Sequence, residues 1–133
     1  MMRVSEFITE SGRIIMNSTF DSESAMDLNR KSGRDFIDGH HDGSKFYVNS
    51  NAITPRPTFT LTADKTSIAA DGQEIITISG LPDGECQVML WGSVNDQWTQ
   101  EGDIQLTANI PGWYQIRVSQ WPYQEQEITF NAS

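Results

Sequence analysis

Pro111-Gly-Trp-Tyr-Gln-Ile-Arg-Val118 is the stretch on which the fold of this chain turns. Along a strand, Tyr114, Ile116 and Val118 fall on one face, and Trp113, Gln115, Arg117 and Ser119 on the other. Tyr114 stands two residues before Ile116, the spacing of a tyrosine corner, with Ile116 where a disulfide cysteine would stand.

The same pattern extends outward from Thr58 to Phe130. Phe59–Thr62, Thr66–Ala69 and Glu74–Ser79 read as strands separated by Ala63-Asp-Lys65 and Ala70-Asp-Gly72. After the loop Gly80-Leu-Pro-Asp-Gly84 comes a strand through Val88, Leu90 and Trp91. Asp96-Gln-Trp98 and Gly102–Thr107 read as a hairpin, and Trp113–Ser119 and Glu125–Phe130 supply the last strands. About seven strands at spacings of roughly 8–12 residues predict an immunoglobulin-like β-sandwich over residues 58–133. Trp91 is the candidate for its buried tryptophan. The lone cysteine, Cys86, lies in a strand-like run and reads as a small buried hydrophobe. Without a second cysteine the sandwich is held by apolar packing alone.

Residues 1–57 read as a small β-rich unit with one short helix, so the whole chain is expected to be mainly β. Gly12 opens a strand over Arg13–Phe20. Asp21–Asn29 makes about two helical turns, capped by Asp21 or Ser22 and closed by Gly33. Asp35–Asp38 and Lys45–Asn49 flank Gly39-His-His-Asp-Gly43, and Asp42-Gly43 predicts a hairpin between them. So small a sheet has an apolar face and too little chain to cover it, which points to packing on a partner or on the second half. Thr54-Pro-Arg-Pro57 is read as a stiff connector, because Pro55 and Pro57 hold the backbone extended and lack donors.

Charge divides at the same place. Residues 1–57 hold seven Lys/Arg against eight Asp/Glu, a net of −1, whereas residues 58–133 hold Lys65 and Arg117 against ten acids, a net of −8. The near-neutral part suits packing against another chain, and the acidic part suits water. A net charge of −9 disfavours nucleic acid and anionic membrane surfaces as partners. No stretch approaches a membrane span, and Met1–Glu10 lacks the apolar core of a signal peptide. The expectation is a soluble chain made in the cytoplasm, or one that travels outside without a standard signal.

No catalytic residue, cofactor site or metal site is expected. Adjacent residues on a strand point to opposite faces, so His40 and His41 do not converge on one ion; with Asp42 they read as a solvated hairpin tip. No Ser-His-Asp arrangement, phosphate loop or spaced carboxylate pair appears. Trp98, Trp113 and Trp121 fall in turns or on the outward register, where stacking on a sugar ring competes with capping the sandwich ends or burying against the first half. The structural role is favoured, since isolated surface aromatics are common.

Arg13-Ile-Ile-Met16, Asp38-Gly-His-His-Asp-Gly-Ser-Lys-Phe-Tyr-Val48 and Pro55-Arg-Pro57 together resemble small structural proteins of tailed bacteriophages and prophages. Leu61–Gly72, Ile78-Ser-Gly-Leu-Pro82, Pro111-Gly-Trp-Tyr114 and Trp121-Pro-Tyr123 resemble the bacterial-type immunoglobulin-like module carried by such proteins. The resemblance implies a virion component at the tail tip, baseplate or tail fibre. Residues 1–57 would dock on other tail proteins, in multiple copies within a larger assembly. Residues 58–133 would project, touching a host-surface glycan weakly.

Overall fold

The computed structural model describes residues 2–133 and is mainly β, with one short helix. It divides into two compact units, Met1–Arg56 and Pro57–Ser133. No helix among the described residues is long and apolar enough to cross a membrane.

The first unit is built on β1 (Met2–Ile8), which lies between β2 (Ile14–Phe20) and β3 (Arg34–Asp38) in an antiparallel sheet ordered β2-β1-β3. Helix α1 (Glu23–Asp27) joins β2 to β3, with the Ser22 side chain accepting from the Ala25 N–H as its N-cap. A separate hairpin follows, β4 (Phe46–Asn49) with β5 (Ala52–Pro55), turned by Ser50 and Asn51 at φ +51° and +62°. Those two left-handed residues make the primed turn whose twist matches a two-residue hairpin. Phe7, Ile14 and Val48 form the buried centre, with Ile37, Phe46 and Ile53 packed on it.

Four expectations for this half are corrected. The Asp42-Gly43 hairpin does not form: β3 pairs with β1, while β4 pairs with β5. Asp42 instead closes a local turn, its carboxylate accepting from the Ser44 N–H and hydroxyl, and these bonds hold its pKa below the usual carboxylate range. The helix ends at Asp27 rather than near Gly33, since Leu28 has no apolar companion and stays 87% exposed. Thr54 and Pro55, read as the start of a stiff connector, are the last residues of β5, with Pro55 opposite Phe46. The next peptide is tied as well, Arg56 N–H to Lys45 O at 2.7 Å, and Pro57 O accepts from the Gln124 N–H at 2.9 Å.

The sheet is also better covered than its length suggests. Val48, Phe46 and Ile53 pack against the Phe7–Ile14–Ile37 face. On the opposite face Phe20 meets Phe36 edge-on, the Arg30 guanidinium stands 5.5 Å over Phe36, and Met26 of α1 is buried. Exposed apolar surface remains at Ile15 and Met16 on β2.

The second unit is an immunoglobulin-like sandwich. Its strands are β6 (Thr62–Ala63), β7 (Ser67–Ile68), β8 (Ile76–Ser79), β9 (Cys86–Gly92), β10 (Asp96–Gln100), β11 (Ile104–Leu106), β12 (Gly112–Ser119) and β13 (Gln126–Ala132). One sheet is ordered β11-β8-β6 and the other β10-β9-β12-β13-β7, with β7 parallel to β13. Putting β8 and β11 in one layer and β9, β12 and β13 in the other is the strand partition of an immunoglobulin-like domain. Ile76, Ile78, Cys86, Val88, Ile104, Ile116 and Val118 are its fully buried centre. Tyr114 stacks on Phe130 and donates its hydroxyl to Ile110 O at 2.6 Å, the bond that defines a tyrosine corner. Cys86 is buried, its thiol donating weakly to Pro82 O, and burial pushes its pKa up.

Two further expectations fail here. Residues 96–107 are not a hairpin, because β10 pairs with β9 and β11 with β8 in the other sheet. The chain changes layer so that Ile104 can bury opposite Ile78, and the Gln100 amide, donating to Asp103 O at 2.8 Å, braces the crossing. Trp91 is not the buried tryptophan. Cys86, Val88 and Leu90 point inward, so alternation turns Trp91 to the outer face.

Candidate binding face

The outer face of the β10-β9-β12-β13-β7 sheet gathers side chains suited to holding a ligand. β9 contributes Met89 and Trp91, β12 contributes Trp113, Gln115 and Arg117, and β13 contributes Glu127 and Thr129. Register sets the neighbours: Trp91 lies opposite Gln115, Met89 and Glu127 flank Arg117, and Thr129 lies opposite Gln115 on its other side.

The centre of this face is held by charge. The Arg117 guanidinium stands 4.9 Å over the Trp91 ring and donates through Nε to Glu127 Oε1 at 2.8 Å. Its other nitrogens reach Glu127 again and Glu125 at 3.6 Å, and Gln115 Nε2 also donates to Glu127. Both carboxylates are therefore engaged with one guanidinium. Beside this network Trp113 is 69% exposed, and Trp91, Trp113, Gln115 and Thr129 border a shallow depression of about 330 Å³. An aromatic platform next to amide and hydroxyl groups can stack on the apolar face of a ring and bond its polar edge.

The other candidate residues are placed elsewhere. Trp98 packs against the sandwich core, opposite Val88, with its indole N–H on Gln100. Trp121 is half-buried in the turn between β12 and β13, where Tyr123 N–H bonds Gln120 O and the Tyr123 ring meets Phe59 edge-on. Of the three tryptophans read as outward, Trp113 alone offers an open platform. Trp91 borders the same face, half-buried with one side of its ring under the Arg117 guanidinium, and its outward placement was legible: Leu90 and Trp91 are adjacent, so only one of them can face inward.

His40, His41 and Asp42 neither converge nor form a hairpin tip. His40 Nε2 bonds Ser18 O at 2.8 Å and His41 Nε2 bonds Asp38 O at 2.9 Å. Among the described residues no group of three or more His, Cys, Asp or Glu is arranged to hold a metal ion.

No protein-family model and no curated protein matches the chain. The chain is similar to a solved structure of a glycosyl hydrolase family 2 member from Bacteroides cellulosilyticus, at 14% identity and a TM-score of 0.38. The similarity covers 99% of this chain and 22% of that one, so the chain spans less than a quarter of that protein.

Proposed function

We propose that the chain is a non-enzymatic structural component of a tailed-bacteriophage virion, at the tail tip, baseplate or a tail fibre. In this reading residues 1–57 dock on other tail proteins and the immunoglobulin-like unit faces water. The observation that carries it is the coincidence of two boundaries. The structural break at Arg56/Pro57 is also where net charge steps from −1 to −8. A near-neutral unit approaches other protein surfaces without long-range repulsion, while a strongly acidic one stays solvated. The resemblance of both halves to phage structural proteins supplies the rest. Gold-labelled antibody against residues 57–133 is expected to mark one end of the tail on intact particles, and tail genes are expected on both sides of this one. Unlabelled particles, or a catalytic chain encoded next door that co-purifies with this one, reject the assignment.

A second reading, a host-surface glycan-binding module, is favoured by one observation, the 69% exposure of Trp113 beside Trp91, Gln115 and Thr129. Titrating the full chain with host-envelope oligosaccharides is expected to give a saturable shift in tryptophan fluorescence at millimolar ligand. Trp113→Ala is expected to weaken that response roughly tenfold, the loss of one central aromatic contact. Absence of any response at millimolar ligand removes this reading and leaves the structural role standing.

A further inference from the structure

We infer that the outer face of the β10-β9-β12-β13-β7 sheet carries a continuous track for the interior of an uncharged, linear oligosaccharide, running from Trp113 across Trp91 to Thr99. This rests on the glycan-binding reading above and names its ligand class; it is separate from the virion assignment.

The track is made of three shallow, open depressions that share their walls. The first is the one bordered by Trp91, Trp113, Gln115 and Thr129. The second, of about 380 Å³, lies between β9 and β10 and is bordered by Met89, Trp91, Asn95 and Gln97. The third, of about 310 Å³, is bordered by Gln87, Met89, Gln97 and Thr99. Trp91 is common to the first two, and Met89 and Gln97 to the last two. Register explains this continuity. Gln115 lies opposite Trp91, and Met89 opposite Gln97, so outward side chains of neighbouring strands stand side by side. Strand spacing and rise give a path of roughly 15 Å, diagonally from β12 to the β9–β10 pair and then along it. That is longer than a single sugar ring and suits several linked ones. None of the three depressions is closed by a wall that would select a chain end.

The side chains along the track set the ligand's chemistry. Trp113 and Met89 expose apolar surface for the faces of rings. Gln87, Gln97, Thr99 and Thr129 are exposed, and no other described residue holds their side chains by a hydrogen bond. Amides and hydroxyls free in this way both donate and accept, as ring hydroxyls do. Charge is arranged against an acidic ligand. The two basic side chains of residues 58–133 are Lys65 and Arg117; Lys65 faces Glu74 at 3.8 Å, and Arg117 is held by Glu125 and Glu127. Neither is left to meet a carboxylate or a phosphate, and Asp96 stands at the rim of the second depression. The net charge of −8 on this unit adds repulsion toward any anionic polymer.

Calorimetric titration of the full chain uses neutral cello-, malto- and N-acetylated chito-oligosaccharides, each from the monomer to the hexamer. In at least one series affinity is expected to rise about tenfold from dimer to tetramer, as successive depressions fill. Combining Gln97→Ala with Thr99→Ala, both far from Trp113 along the track, is expected to weaken tetramer binding roughly five- to tenfold. Dimer binding, which Trp113 dominates, and the urea midpoint stay unchanged in that variant. Alginate oligomers of equal length, anionic at every ring, are expected to bind at least about tenfold more weakly than the neutral series. Saturable binding that ignores chain length, or a Gln97/Thr99 variant that binds as the parent does, overturns the track and leaves the glycan-binding reading standing. Alginate bound as tightly as the neutral chains overturns the ligand class. No response to any oligomer at millimolar concentration removes the track and the glycan-binding reading together.

Discussion

Ile116→Ala is expected to lower the stability of the sandwich by about 3–5 kcal/mol, in the upper part of the range for a buried aliphatic side chain cut to a methyl. Ile116 is 0% exposed in the middle of β12, and β12 is the central strand of its sheet. Leu90 on β9 and Ile128 on β13 flank it, and both belong to the same core. Because strands hold it on both sides, the site cannot collapse around the smaller residue, so most of the cavity persists. A unit of this size has a total stability of roughly 4–11 kcal/mol. The substitution therefore removes a large fraction of it, and no disulfide compensates, since Cys86 is unpaired. The measurement is direct: all four tryptophans lie beyond residue 57, so urea denaturation followed by tryptophan fluorescence reports this unit alone. A midpoint shift equivalent to less than about 1 kcal/mol would mean that Ile116 is not in the core.

The part of this fold that was legible in advance is the part governed by local alternation. Tyr114, Ile116 and Val118 occupy every second position and are all buried, as a period of two requires. Pairing was less legible, because it is decided by distant chain. β1 carries Ser5 and Glu6 at buried positions, so its sequence lacks the apolar alternation of a half-buried strand. Those two residues are tolerated because Ser5 hydroxyl bonds Asn17 at 2.6 Å and Glu6 pairs with Arg34 at 3.4 Å, and nothing near them in sequence announces either partner. Once β1 claims β3, the Asp42-Gly43 turn signal has no strand to pair. β5 was hidden by Pro55, which is compatible with an edge strand but reads as a breaker. The binding face combines both cases. Trp113 and Gln115 follow from alternation on β12, but their meeting with Trp91 and Glu127 depends on the register of three strands.

Gly12→Ala is expected to unfold residues 1–56 while leaving the sandwich intact. Gly12 adopts φ +76°, a left-handed conformation that an alanine enters only with strain. Space is the larger obstacle. A Cβ at this position would lie 1.9 Å from the Val48 carbonyl oxygen and 3.0 Å from its carbon, and those are backbone atoms that no rotamer change can move. Retreat is barred too, because Gly12 O accepts from the Val48 N–H at 2.8 Å and Gly12 N–H donates to Ile8 O at 2.7 Å. Relieving the contact means separating β4 from the β1–β2 turn, and Val48 is buried in one cluster with Phe7 and Ile14. Strain of about 1–3 kcal/mol joins the loss of that packing, against a total stability of roughly 3–8 kcal/mol for a unit of this length. Amide spectra of the variant should show the resonances of residues 2–56 collapsed toward random-coil shifts. Tryptophan fluorescence and its urea midpoint should be unchanged, since this unit contains no tryptophan. Native dispersion for residues 2–56 would show that the β4 hairpin can move away from Gly12 at little cost. Simultaneous loss of the tryptophan transition would show instead that the two units fold as one.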